Sequence, residues 1–134
     1  MGPSACRRCS ISAARPTVTA IIPILAVRDL DEALRFYCGV LGFTEAWKFG
    51  EPPHRAGVQL DGAEIQLDAA SVGGPHGPAV LYCHMVGVDE YYQACRRRGA
   101  VITMALADRP WGARDFRVVD PSGNRLGFAE VLTK

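Results

Sequence analysis

The hydrophobic and polar residues of this chain change their periodicity in the same order twice. In the first half, apolar runs and alternation predict four strands, at residues 20–27, 43–49, 55–60 and 63–69. Between the first two strands the apolar residues follow a helical spacing. This helix begins at Asp29, an N-cap residue that forms a capping-box pair with Glu32, and we expect Gly39 and Gly42 to end it. Pro23 predicts an edge position or an irregular start for the opening strand.

The second half repeats the order of one strand, one helix and three strands. Its predicted strands lie at residues 79–86, 100–105, 115–119 and 125–130. Its helix, Val88–Arg98, begins with Asp89 and Glu90 and ends with arginines, as the helix dipole favours, and Gly99 stops it. The Gly- and Pro-rich segment 70–78 is predicted to link the halves. Two such units, each a small sheet with one helix on its outer face, predict an α+β fold around a shared cleft.

The most specific pattern is the turn Asp120–Asn124 between the last two predicted strands. Pro121 presets one turn dihedral and Gly123 supplies a positive φ, so the segment predicts a hairpin. Just before this hairpin, Pro110-Trp111-Gly112 places a large aromatic side chain on an irregular loop. An indole at this place either plugs the core or forms a wall of a binding cleft.

Composition indicates one soluble globular domain. Of the 134 residues, 49% are hydrophobic and 22% are charged, and the net charge of +1 suggests neither a nucleic acid nor a membrane as partner. No apolar run approaches the roughly 18 residues of a transmembrane helix. Residues 1–18 contain three arginines and no acid, and we predict a disordered extension there. The domain, 19–134, keeps 12 of the 15 basic residues and all 14 acidic ones, which weakly favours a cationic or neutral ligand.

The five cysteines predict a reducing, cytoplasmic environment. They are odd in number and scattered over the predicted elements, which argues against a disulfide framework. Cys6 and Cys9 form a lone CxxC, which we interpret as a chance pair rather than a zinc or redox motif. The sequence contains no nucleophile elbow, no phosphate-binding glycine loop and no HExxH, so no catalytic residue is predicted.

Five segments of the chain resemble the motifs of the vicinal oxygen chelate superfamily, which contains glyoxalases, extradiol dioxygenases and bleomycin resistance proteins. These segments are Val27–Asp29, Ala33–Tyr37, Leu41–Phe43, Trp111-Gly112 with Arg114, and Asp120–Arg125. The resemblance covers about residues 20–132 and is strongest to the bleomycin resistance branch. The resemblance implies two βαβββ units, 20–69 and 79–132, that form paired half-open barrels around a cleft, in a protein that forms homodimers.

Enzymes of this superfamily hold a divalent metal with His, Gln or Glu, one on the first and one on the last strand of each unit. Carried over motif by motif, the four positions fall at Ile22, Gln66, Val80 and Gly127. Three of these residues have no donor atom, and one amide does not hold a divalent cation alone. The resemblance therefore implies a protein without a metal or other cofactor. A site of His84, Glu64 and Gln66, outside the family pattern, stays open.

Without a metal, the resemblance implies binding and sequestration of a small aromatic or cationic molecule, without chemistry. Aromatic side chains stack on planar and cationic ligands, and a few polar groups orient them. The candidate ligand-binding residues are Trp47, Phe49, Gln66, Tyr82, His84, Trp111, Arg114 and Phe116. Two alternatives stay open: a metal-dependent lyase, isomerase or dioxygenase, and a domain whose cleft is filled by its own side chains.

Overall fold

Two four-stranded sheets of the same strand order form the frame of the domain. The computed structural model describes residues 15–70 and 77–133. The first sheet consists of β1 (Ile24–Ala26), β2 (Thr44–Phe49), β3 (Arg55–Leu60) and β4 (Ala63–Asp68). The second consists of β5 (Val80–His84), β6 (Val101–Arg109), β7 (Ala113–Val119) and β8 (Arg125–Val131). The strand orders β1-β4-β3-β2 and β5-β8-β7-β6 confirm the predicted pair of βαβββ repeats.

One helix follows the first strand of each unit. In the first unit, α1 (Leu30–Leu34) continues directly into a π-helical segment (Arg35–Val40). In the second unit, α2 (Val88–Arg97) follows β5. The Asp29 side chain accepts the backbone N–H of Glu32 at 2.9 Å, so the predicted N-cap is confirmed. Within the described ranges, no helix has the length and apolar character needed to cross a membrane.

The first helix ends later than predicted. Gly39 lies inside the π-helical segment, where the neighbouring Phe36 and Tyr37 are buried. The chain leaves the helix at Gly42, whose φ of +84° suits glycine. The prediction that Gly39 ends the helix is wrong, because the packing of its neighbours outweighs the modest intrinsic cost of glycine in a helix.

One face of each sheet packs against the helices. Strand alternation places Leu25, Val58 and Leu67 of the first sheet, and Phe116 and Phe128 of the second, on this inner side. All five are at most 2% exposed, and they belong to one continuous hydrophobic core that also contains residues of both helices. The two units therefore share their core rather than folding around separate ones.

The other face of each sheet is covered by neither α1 nor α2. We call the side with Trp47, Gly57 and Gln66 the first open face, and the side with Tyr82, Gly127 and Arg117 the second open face. The residues of each set lie directly opposite one another on neighbouring strands. Their side chains therefore project to the same side of their sheet.

Strand β6 is longer than predicted and changes the setting of Trp111. It runs on to Arg109, beyond the predicted 100–105. The Gly112 N–H donates to the carbonyl oxygen of Arg109 at 3.1 Å, and the φ of Gly112 is +89°. Trp111 thus lies at the tip of a tight hairpin turn rather than on an irregular loop. The sequence prediction ended the strand too early because Asp108 and Arg109, two consecutive polar residues, interrupt the alternation of apolar and polar positions.

The opening strand is shorter than the predicted run 20–27. Ile24–Ala26 pairs with β4, and the carbonyl oxygen of Pro23 accepts the Gln66 N–H at 2.9 Å before regular pairing begins. The predicted extension 1–18 and linker 70–78 lie largely outside the described residues, so both stay predictions.

The turn between β7 and β8 ties the two units together. Its Asn124 is fully buried, donates from Nδ2 to the Ala26 carbonyl oxygen at 2.9 Å and accepts the Ala79 N–H at 2.7 Å. Its Asp120 accepts the Tyr37 hydroxyl at 2.8 Å. Because buried polar groups are costly to leave unpaired, these bonds fix how the units sit together. The sequence predicted the hairpin but not its contact with the first unit.

Candidate ligand-binding site

On the first open face, Trp47 lies against its cross-strand partner Gly57. A Cβ at Gly57 would collide with the indole. The indole N–H donates to Glu64 at 3.2 Å, and Glu64 also accepts from the Gln66 amide at 3.3 Å. Arg55 donates to the other end of that amide at 2.9 Å. Trp47 is therefore a half-buried wall whose ring is held by a glycine and a carboxylate.

Phe49 is the most exposed of the predicted aromatic residues, at 67%. It ends β2 on the same side as Trp47, and its ring meets the edge of His54 with the centroids 5.9 Å apart. A large apolar ring at the rim of an open face is available to a ligand or to a partner.

Tyr82 and Trp111 form what we call the aromatic corner of the second open face. The Tyr82 ring lies against Gly127, where a Cβ would come within 2.8 Å of the ring. The indole N–H of Trp111 donates to the Tyr82 hydroxyl at 3.1 Å, while Trp111 stays 58% exposed. The predicted possibility that Trp111 plugs the core is therefore wrong. His84 lies beside this corner, its ring centroid 5.8 Å from that of Tyr82.

A buried carboxylate holds the aromatic corner in place. Asp115 is fully buried and accepts the Tyr82 hydroxyl at 2.6 Å and the Arg109 Nε–H at 2.7 Å. Burial raises the pKa of Asp115, but the hydrogen bonds from Tyr82 and Arg109 outweigh burial and hold the pKa below its ordinary value. Burial and the bond to Asp115 raise the pKa of Tyr82. At neutral pH the pair is a neutral phenol donating to an ionised carboxylate.

Two predicted site residues face the helices instead of an open face. Phe116 is fully buried, with its ring centroid 4.9 Å from that of Tyr92 in α2. Arg114 forms an ion pair at 2.7 Å with Asp89 in the first turn of α2. Because successive side chains of a strand point to opposite sides, the neighbours of Asp115 point away from the second open face. Neither residue lines the cleft, contrary to the prediction.

The side chains at the four implied positions do not fit the metal that the resemblance implies for enzymes. The four implied positions are Ile22, Gln66, Val80 and Gly127. Three have no donor side chain, and the Gln66 amide is hydrogen-bonded at both ends to other side chains. In residues 15–70 and 77–133, no three His, Cys, Asp or Glu side chains form a group that could hold a metal ion. The alternative site of His84, Glu64 and Gln66 contains only two side chains of these four types, and its third member, Gln66, is the amide already bonded at both ends.

Two cavities adjoin the open faces, and both have volumes typical of small-molecule sites. One, of about 440 Å³, lies on the second open face and includes Tyr82, Met104, Arg117 and Arg125 in its lining. The other, of about 860 Å³, is a crevice between the units and includes Ile22, Gln59, Glu64, Tyr82 and His84. Sequence reasoning missed Met104, Arg117 and Arg125. The alternation of the predicted strand 115–119 contained the signal for Arg117, which shares the side of Asp115.

Comparison with known proteins agrees with this architecture. A family model described as Glyoxalase/Bleomycin resistance protein/Dioxygenase superfamily matches residues 17–128. A bleomycin resistance protein of Geobacillus stearothermophilus is 28% identical over 130 residues, covering 83% of this chain and 96% of the relative.

Two solved structures share the fold. TioX from a Micromonospora species has a TM-score of 0.74 at 24% identity and covers 86% of this chain and 100% of its own. TnmS3, an antibiotic binding protein from a Streptomyces species, has a TM-score of 0.71 at 23% identity, with coverage of 87% and 99%. With the family model matching most of its length, this chain belongs to the Glyoxalase/Bleomycin resistance protein/Dioxygenase superfamily.

Proposed function

We propose that this protein binds a planar aromatic, antibiotic-like small molecule and sequesters it without changing it chemically. The observation that carries the proposal is the aromatic corner, in which Trp111 is anchored through its N–H to Tyr82 and yet stays 58% exposed. A preset ring surface offers stacking without the entropic cost of ordering a free side chain. The name of the Geobacillus relative, bleomycin resistance protein, supports an antibiotic-like ligand.

The first open face supports the same proposal with a second ring surface. Trp47 is held between Gly57 and Glu64, and Phe49 extends the apolar surface at the rim of the sheet. The crevice of about 860 Å³ between the units has room for a drug-sized molecule. Polar groups at its wall, including Glu64 and His84, would orient such a ligand.

The proposed cleft lies at the interface of a homodimer. Large apolar side chains are exposed on both open faces: Ile24 by 40%, Phe49 by 67%, Val80 by 68% and Met104 by 39%. Large apolar side chains exposed on the same side of a sheet are available to a partner. A second copy placed over the open faces would cover these side chains and enclose the ligand. Sedimentation equilibrium at micromolar protein tests this, and a monomer mass for the unliganded and the ligand-saturated protein would contradict it.

The alternative function, a metal-dependent lyase, isomerase or dioxygenase, requires ligands that the implied positions do not supply. The mismatch at Ile22, Val80 and Gly127 supports binding over metal chemistry. A stoichiometric divalent metal in the purified protein, whose removal by a chelator abolishes an activity, would support the enzyme instead. A protein without cofactor and a cytoplasmic location stay predictions.

Fluorescence titration tests the proposed function, because the chain has two tryptophans and each belongs to one open face. In the Trp47→Phe variant the emission comes from Trp111 alone. We expect saturable quenching of this variant by at least one member of a panel of bleomycins and planar aromatic antibiotics. Tyr92→Phe, changed on the helix side, is the matched control and should bind with unchanged affinity. Absence of saturable quenching across the panel would leave the self-filled cleft as the better description.

A further inference from the structure

Resting on the proposed function, we infer that the aromatic ligand carries a carboxylate, which Arg117 and Arg125 bind on the second open face. The mildly acidic composition of the domain predicted the opposite sign, a cationic or neutral ligand. Local charge decides at a binding site, because interactions between exposed charges are largely screened beyond about 8–10 Å at physiological salt. The local charge of this cavity is positive.

The cavity of about 440 Å³ combines apolar walls with two guanidinium groups. Val80, Tyr82 and Met104 form its apolar walls, and Thr103, Arg117 and Arg125 supply its polar groups. No described residue of its lining is acidic. A site of this composition suits a molecule with a planar apolar body and an anionic end.

Arg117 has hydrogen-bonding capacity left for a ligand. Its Nε–H is buried and has no hydrogen-bond partner among the described residues. Its terminal nitrogen lies 3.7 Å from the Asp115 carboxylate, beyond hydrogen-bonding distance. Asp115 already accepts short bonds from Tyr82 and Arg109, so its charge is engaged inside the sheet. The Arg117 side chain is nevertheless 36% exposed, so an oxyanion in the cavity can accept hydrogen bonds from the terminal nitrogens of its guanidinium.

Arg125 faces the same cavity from β8. Its side chain is exposed, and within residues 15–70 and 77–133 it forms no ion pair. Its cross-strand partners, Val80 and Val119, are apolar, so the positions directly opposite it offer no compensating charge. Two guanidinium groups on one cavity favour an anion between them, and their planar forks match the geometry of a carboxylate.

The aromatic corner fixes where the rest of the ligand would lie. The Arg117 guanidinium carbon is 5.8 Å from the centre of the Tyr82 ring, and Tyr82 holds Trp111 through its hydroxyl. Met104, 39% exposed on the opposite wall, offers a polarisable contact to an aromatic ring. A planar ring placed at the aromatic corner therefore directs an attached carboxylate toward Arg117.

Three compounds of one shape and different charge test the inference: naphthoate, naphthamide and naphthylmethylammonium. Each is titrated at low salt into the full-length Trp47→Phe protein, with Trp111 emission as the signal. We expect naphthoate to bind at least about ten-fold more tightly than naphthamide. Arg117→Gln and Arg125→Gln, made in the same background, should each reduce this preference to about three-fold or less, and added salt should weaken it. Arg97→Gln, exposed on α2, is the matched control and should leave it unchanged.

The possible outcomes separate this inference from the proposed function. Equal binding of the three compounds, or tightest binding of the ammonium, would overturn the inference that the ligand carries a carboxylate. The proposal that the protein binds aromatic molecules would be unaffected. An undiminished preference in folded Arg117→Gln and Arg125→Gln would overturn the assigned site. If Arg117→Gln fails to fold, the exposed Arg125 position decides alone. Binding of none of the compounds up to about 1 mM, an affinity worth only about 4 kcal/mol, would overturn both proposals.

Discussion

Replacing Tyr82 by phenylalanine would remove one oxygen atom that joins three side chains. The hydroxyl donates to Asp115 at 2.6 Å and accepts the Trp111 N–H at 3.1 Å. The phenylalanine ring can keep the place of the tyrosine ring against Gly127, because the two rings have the same shape. The substitution therefore tests the polar part of the aromatic corner separately from its packing.

The expected loss in the free energy of unfolding is about 2 kcal/mol at pH 7. Asp115 is fully buried, and a hydrogen bond to a buried charged group is worth about 1.5–3 kcal/mol. The remaining bond from Arg109 at 2.7 Å keeps the carboxylate paired and limits the loss. The N–H of the exposed Trp111 regains water and adds little. Tyr92→Phe is the matched control, because the Tyr92 hydroxyl has no hydrogen bond to a described residue, and it should cost about 0.5 kcal/mol or less.

The destabilisation should depend on pH in one direction. Because the pKa of folded Asp115 lies below its ordinary value, its ionised form stabilises the fold above the unfolded pKa of about 3.9. This contribution is lost as the pH falls through the folded pKa. In urea unfolding followed by circular dichroism, the difference between wild type and Tyr82→Phe should be constant from about pH 6 to 8 and shrink below about pH 4. If Tyr82→Phe is as stable as Tyr92→Phe at pH 7, the bonded network does not exist in solution.

Three further substitutions test the aromatic corner, the contact between Trp47 and Gly57 on the first open face, and the hydrogen bonds of Asn124 that join the two units. Trp111→Ala should weaken ligand binding by about 1–3 kcal/mol in calorimetry and stay folded, since the residue is 58% exposed; an unfolded variant would assign Trp111 to the core. Gly57→Ala should displace the Trp47 indole and red-shift its emission in a Trp111→Phe background, and an unchanged spectrum would contradict the contact. Asn124→Ala should lower the free energy of unfolding by about 2–4 kcal/mol, because the part-buried Ala79 N–H and Ala26 carbonyl oxygen both lose their partner. Ser122→Ala is its control and loses one exposed hydrogen bond. An equal loss of stability in both variants would contradict the role of Asn124 in joining the units.

Local signals in the sequence predicted the features that local bonding decides. Asp29 and Glu32 are three residues apart, so their N-cap could be predicted without knowledge of the fold. The alternation of side chains along a strand is equally local. It places Phe116 on one face of β7 and Asp115 and Arg117 on the other. Phe116 was predicted as a site residue because it is aromatic. The alternation of the strand instead indicates that it points to the core, where the structure has it.

Features that join distant segments could not be predicted from the sequence. Glu130 on β8 accepts the backbone N–H groups of Gly87 and Val88 at 2.9 and 3.0 Å and so caps α2 from another element. No spacing rule connects residues more than forty positions apart. The register of β6 against β7 shifts on both sides of Met104, which changes the side to which its residues point. Met104 was therefore absent from the predicted site.

At position 127 the Tyr82 ring and the side chain of a metal ligand would compete for the same space. Gly127 lies directly opposite Tyr82, and a Cβ there would come within 2.8 Å of the ring. A carboxylate at this position, as the resemblance implies for metal-binding relatives, would require the ring to shift away from the place where it bonds Asp115 and Trp111. The glycine at position 127 therefore explains two features at once: it supplies no metal ligand, and it leaves room for the Tyr82 ring of the aromatic corner.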